Sequence, residues 1–146
     1  MIITFSGTRE GMTTAQVAGV TRVLQELQPE RRSTYRHGGC HGADRQFHLI
    51  VTKHMLTPYI DVYPSDREQA TWALGARNAT KVMEIEAPIK RNRRMVEGCN
   101  VVIATPFQET EQKRGSGTWA TIRYAKQRRR LLYIIYADGT ERIFWE

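Results

Sequence analysis

The sequence predicts an α/β domain: a mainly parallel central sheet flanked by helices, with a C-terminal antiparallel hairpin at the edge. Three observations carry this. Short apolar runs rich in β-formers alternate with amphipathic segments almost throughout, which is the pattern of successive βαβ units. Asp138-Gly139 stands between two such runs and is a strong hairpin signal. Three glycine-bearing segments, residues 5–9, 37–44 and 114–118, fall at expected strand ends and open helical patterns. Ligands of open α/β sheets bind outside the carboxyl ends of the strands. The chain of 146 residues, 40% of them apolar, is long enough to bury a core as one domain.

The elements follow in order. Residues 2–6 form a first, apolar strand. Residues 13–27 form a helix with Val17, Val20, either Val23 or Leu24, and Leu27 on one face, Thr13 or Thr14 as its cap and Pro29 as its stop. Residues 33–37 are a second strand. Residues 42–54 are a helix whose apolar side is Phe47, Ile50, Val51 and Met55. Residues 59–63 make a third strand, stopped by Pro64. Residues 64–80, with Trp72 and Leu74 among polar neighbours, read as an irregular excursion with a helical turn. Residues 81–85 alternate as a strand. Pro88 suits the first turn of a helix reaching about Gly98. Residues 101–105 are the clearest buried strand, closed by Pro106. A polar loop, 107–114, leads to a helix over 117–128 with Trp119, Ile122 and either Ala125 or Tyr124 facing inward. Strands over 131–136 and 142–145 complete the hairpin.

Composition excludes several classes. No apolar run approaches the ~18 residues of a membrane span, and the N-terminus lacks the basic region of a signal peptide. Cys40 and Cys99 read as two reduced thiols, so the expected setting is cytoplasmic. The formal net charge is +7 and uneven. Residues 1–73 carry eight Lys/Arg against seven Asp/Glu, and residues 74–146 carry fourteen against eight. That bias favours an anionic partner.

Four segments in order resemble the SLOG superfamily of Rossmann-like nucleotide-binding domains, which includes the LOG phosphoribohydrolases and the DNA-processing protein DprA. Residues 3–9, ITFSGTR, resemble its "GSR" opening, and residues 37–44, HGGCHGAD, its "GGARGAD" segment. Residues 91–95, RNRRM, are similar to its "RNxxM" helix start, and residues 115–118, GSGT, to its "GSGT" loop. The closest likeness is to the small YspA-related branch, found in bacteria and phages. The resemblance implies one nucleotide-binding domain over residues 1–146, in a bacterial cell or a phage-infected host. LOG enzymes carry "PGGxGTxxE", whose glutamate serves N-glycosidic cleavage. Here Thr121 occupies that position, and Lys113 and Arg114 replace the proline and first glycine. A threonine is no general base near neutral pH without help, so binding carries over better than hydrolysis.

Ser6, Gly7, Thr8 and Arg9 are candidates for cradling phosphate through backbone amides, the Thr8 hydroxyl and the Arg9 charge; an ordinary βα turn has the same composition. In the second loop, Gly39 and Gly42 permit tight turns and close approach. His41 stands where the family commonly has arginine and is expected against phosphate or solvent. Asp44 is expected to cap its helix or to accept hydrogen bonds from a ribose or base. Arg91 and Asn92 are expected to face the pocket, Met95 the core. Gly115, Ser116, Gly117 and Thr118 are the best anion site, because free amides precede a helix whose dipole favours phosphate and Lys113 and Arg114 stand beside it. His37, Cys40 and His41 match no zinc spacing, so no metal and no cofactor are expected. The cations of residues 126–130 complement the end of their helix.

The expected function is binding, as sensor or sequestrant, of a phosphorylated nucleotide or nucleotide-derived small molecule. One alternative is an N-glycosidase with Arg91 and Asp44 as candidate catalytic residues and Glu10 or Glu109 as substitute carboxylates. The other is single-stranded nucleic-acid binding. A homo-oligomer through the final hairpin is a further expectation.

Overall fold

A computed structural model of the protein describes residues 1–27, 32–66 and 79–145. Its strands are β1 (Ile2–Gly7), β2 (Thr34–His37), β3 (Tyr59–Val62), β4 (Lys81–Val82), β5 (Val101–Thr105), β6 (Leu131–Ile135) and β7 (Glu141–Phe144). Its helices are α1 (Thr14–Leu27), α2 (Ala43–His54), α3 (Pro88–Val96) and α4 (Gly117–Gln127). Among the described residues the strands form one sheet in the order β4-β3-β2-β1-β5-β6-β7. Every pairing is parallel except β6 with β7. The α/β class and the terminal antiparallel hairpin are therefore as the sequence predicts. In the hairpin turn, Asp138 Oδ1 accepts from the Thr140 amide at 2.9 Å.

Strand alternation sorts the core into two layers. On one face, Ile3, Phe5, Tyr35, Ile60, Val101, Ile103 and Ile135 pack with Val20, Val23, Leu24, Phe47 and Val51 of α1 and α2. On the other, Val102, Ala104, Leu132 and Ile134 pack with Val96, Trp119, Ile122 and Ala125 of α3 and α4. Successive residues of β5 are all buried because both faces are covered. Phe5 and Phe47 stack with ring centroids 4.4 Å apart, pinning α2 over β1. Ala125, not Tyr124, is the buried member of the α4 pair.

The caps explain how the helices sit. Thr13 and Gln16 form a reciprocal capping box: the Thr13 hydroxyl accepts from the Gln16 amide at 3.1 Å, and Gln16 Oε1 accepts from the Thr13 amide at 3.0 Å. Gln16 Nε2 also donates to the Pro106 and Ile135 carbonyls, which ties α1 to the carboxyl ends of β5 and β6. The last turn of α3 is sewn to the sheet by Arg36, which donates to the Met95 and Glu97 carbonyls.

Some boundaries differ from the sequence reading. The strand expected over 81–85 is only two residues long. Pro64 has no amide to continue the ladder, and pairing resumes only as a bridge from Ser65 to Glu86. Helix α3 stops at Val96, with Glu97 extended at its end. Trp72, Leu74 and Pro29 lie outside the described residues.

The chain changes direction across the sheet at β1. From β1 it runs outward through β2, β3 and β4, then returns through α3 to β5 on the other side. The crevice above the β1–β5 junction is the switch point where such folds bind ligands. Gly42 sets the first loop there. Its φ is +83°, and a Cβ on it would overlap the Arg9 carbonyl oxygen and stand 2.6 Å from the carbonyl carbon. The Thr8 carbonyl accepts from both Gly11 and Ala43 amides, at 3.1 and 3.0 Å, so the first loop lies on the start of α2.

Gly42→Ala should therefore destabilise the protein by about 2 kcal/mol or more, from strain and from backbone overlap together. Gly117→Ala, whose Cβ meets only Asn92 Nδ2 at 3.6 Å, should stay within about 0.5 kcal/mol. Urea denaturation of both variants checks the pair; equal losses would contradict the docking of the first loop.

Candidate functional site

A cleft of about 660 Å³ opens at this switch point, within the usual size for a small-ligand site. Ser6, Gly7, Thr8 and Arg9 reach it from the end of β1, Asp44 from α2, Arg91 and Asn92 from α3, and residues 113–118 from the entry to α4. These sequence candidates are thus brought together. Gly39, His41 and Gly42 are not among the lining residues. Gly42 faces the Arg9 backbone and His41 is exposed to solvent. Their loop shapes the site from behind. Gly7 is also held by packing, since a Cβ there would overlap Ala43 and stand 2.6 Å from Thr105 Oγ1.

The floor is built around Arg91, which is only 7% exposed. Its Nη1 donates to the Gly38 carbonyl at 3.0 Å and the Tyr63 carbonyl at 2.8 Å, and its Nε donates to Asn92 Oδ1 at 2.7 Å. The Cys40 side chain stands within hydrogen-bond reach of the guanidinium, and both line the cleft, so a buried positive charge borders whatever enters it. Gly38 makes the arrangement possible, because a Cβ there would overlap Nη1 and stand 2.9 Å from Asp44 Oδ2. Asn92, its oxygen taken by Arg91, directs Nδ2 toward Gly117.

Asp44 does not cap α2. It lies inside the first turn, and its Oδ2 accepts from the Cys40 amide at 3.2 Å. Burial pushes its carboxyl up to about 6, although Arg91 and the Cys40 amide pull the other way. Burial, with Asp44 adding to it, pushes the Cys40 thiol up to about 11, so the thiol stays protonated at neutral pH and is no nucleophile. Behind the loop, His37 Nδ1 accepts from the Gly39 amide, which leaves the proton on Nε2, 2.8 Å from His48 Nδ1. Burial first, then His48 and Arg91, lowers His37 to about 3. The ring is a neutral strut for the second glycine loop. Among the described residues no group of three or more His, Cys, Asp or Glu could hold a metal.

The wall opposite is the N-terminus of α4. Ser116 caps it, its hydroxyl accepting from the Trp119 amide at 3.2 Å. Gly115, Gly117, Lys113 and Arg114 are exposed. The preceding loop is fixed by Arg123, which donates to Glu111 and to the Gln112 carbonyl, and by Trp119 Nε1, which donates to the Gln108 carbonyl. Five cationic side chains line the cleft (Arg9, Arg91, Lys113, Arg114 and Arg123) against two carboxylates, Glu10 and Asp44. Glu109 does not line it. Thr121 donates its hydroxyl to the Gly117 carbonyl at 2.9 Å and belongs to a separate groove between α3 and α4.

Sequence reasoning did not single out Ser65, Pro88, Ile89, Phe107 or Gln108, which also line the cleft. Phe107 did leave a signal, as a large apolar residue just past the clearest buried strand in an otherwise polar loop. Pro88 and Ile89 left none, because they read as an ordinary helix start.

The raised Asp44 carboxyl gives a signed pH effect. Between about pH 6 and 4 the folded protein holds a proton on Asp44 that the unfolded chain, with an ordinary value of 3.8, does not. Stability from this residue therefore rises as the pH falls through 6. Relative to Asp44→Asn, the parent protein should gain roughly 1 kcal/mol between pH 7.5 and 5. His37, common to both proteins, cancels in the difference. Urea denaturation at the two pH values measures it, and a difference independent of pH would contradict a buried, ionised Asp44.

No family model matches the chain, and no curated protein or solved structure is significantly similar to it.

Proposed function

We propose that the protein binds a phosphorylated nucleotide or nucleotide-derived small molecule in the cleft above β1 and β5, with the phosphate against the N-terminus of α4. The observation that carries this is the buried Arg91 guanidinium lining the same cleft as the N-terminus of α4 and the Lys113-Arg114 pair. A buried cation, amides at a positive helix end and two exposed cations together match the demands of a phosphate. The four SLOG-like segments support the same ligand class.

Binding without turnover is the favoured reading. Thr121 stands where a LOG-like glutamate is required, and its hydroxyl is spent on the Gly117 carbonyl. N-glycosidic hydrolysis is the second reading, favoured by one observation: Asp44 lines the cleft with its carboxyl raised to about 6, a useful value for proton transfer. For the reading as a single-stranded nucleic-acid binder, the basic end of α4 offers little. Arg128 pairs with Glu97 at 3.1 Å, and Arg130 Nε donates to the Val96 carbonyl at 3.3 Å.

Nucleoside mono- and diphosphates should raise the melting temperature, bind by titration calorimetry and remain intact by chromatography. Replacing Lys113 and Arg114 together by Ala should weaken binding about tenfold and flatten its salt dependence. Release of free base, abolished by Asp44→Asn, would establish hydrolysis. No response to any nucleotide would end the proposal.

A further inference from the structure

The cleft has two kinds of lining. Arg9, Lys113, Arg114 and the start of α4 make it cationic. Two large apolar side chains that the fold leaves in water also line it, Phe107 at 59% exposure and Ile89 at 63%. Single exposed apolar residues are ordinary on a protein surface. These two differ because they share one concave site and because the backbone beneath each is fixed.

Phe107 lies between two anchored carbonyls. That of Pro106 accepts from Gln16 at 3.1 Å, and that of Gln108 accepts from the Trp119 indole at 3.2 Å. Its ring is in no aromatic pair among the described residues. Ile89 is the second residue of α3, directly after Pro88, and α3 is held at its far end by Arg36. Both side chains are thus presented on rigid supports that their own burial does not require. A planar apolar ring stacked there would cost little conformational freedom.

Resting on the nucleotide reading above, we infer that Phe107 and Ile89 form the seat for the ligand's base, while the sugar lies over the polar floor of Asp44 and Asn92 and the phosphate reaches α4. The cleft then recognises a flat heteroaromatic ring joined to a sugar phosphate. A sugar phosphate alone leaves these two apolar side chains uncovered.

The test is titration calorimetry with AMP, GMP and ribose 5-phosphate on the intact protein, its Phe107→Ala, Phe107→Trp and Ile89→Ala variants, and Leu56→Ala as a control. Leu56 is 84% exposed and does not line the cleft. The purine nucleotides should bind the parent protein about tenfold or more tightly than ribose 5-phosphate, as expected for one base–aromatic stack. Phe107→Ala should bring that ratio to within about threefold, with ribose 5-phosphate affinity unchanged. Ile89→Ala should reduce it less, and Phe107→Trp and Leu56→Ala should preserve it. If ribose 5-phosphate binds the parent protein as tightly as AMP and GMP, or if Phe107→Ala leaves the ratio intact, the seat is wrong while the phosphate site stands. If none of the three ligands binds, the nucleotide reading fails and the seat fails with it.

Discussion

The guanidinium of Arg91 is the point on which the cleft is built. From α3 its Nη1 crosses to two backbone carbonyls, one in the loop after β2 and one just past β3, and its Nε grips the neighbouring Asn92. A buried cation is costly unless its donors are satisfied, and these bonds satisfy three of its N–H groups. The residue also lines the cleft. One side chain therefore holds three segments together and sets a positive charge beside the cleft. The arrangement needs Gly38, since any side chain there would occupy the space of Nη1.

The glycines divide by what they do. Gly7 and Gly42 are glycines because Ala43, Thr105 and the Arg9 backbone lie where a Cβ would be. They bring two crossover turns into contact, and the Thr8 carbonyl closes the joint by accepting two amides. A Cβ on Gly115 or Gly117 meets almost nothing. The first two loops are thus a packed frame, and the loop before α4 is the open one. Sequence inspection gives all three loops the same anion-binding role, because a glycine needed for packing and one needed for ligand approach are written with the same letter.

Burial sorts the titratable groups of the site in the same way. His37 is held neutral and hydrogen-bonded behind the second loop. Cys40 is kept as a thiol. Asp44 is balanced between desolvation, which disfavours its charge, and Arg91, which favours it. The cleft is strongly cationic yet contains a carboxylate that can gain a proton near pH 6. Its charge toward an anion therefore becomes more positive in mild acid.

The sequence by itself determined the layered α/β order, because alternating apolar periodicity, Pro and Gly punctuation and the Asp138-Gly139 turn are local signals that tertiary packing did not override. It also placed Arg91 and Asn92 early in a helix after Pro88 and the glycine loop at the start of α4, and read residues 107–114 as a polar loop. Helix ends were legible only to within a residue or two, since fraying and caps depend on neighbours: Gly98 falls beyond α3 because Glu97 turns extended. Only the tertiary structure decided which carbonyls Arg91 would reach, that Asp44 would serve Cys40 and not its own helix end, and that Phe107 and Ile89 would line one cleft. The Arg91 contacts join residues 53 and 28 positions apart. No local pattern encodes such a distance; it is set by how the two crossover layers close on the sheet.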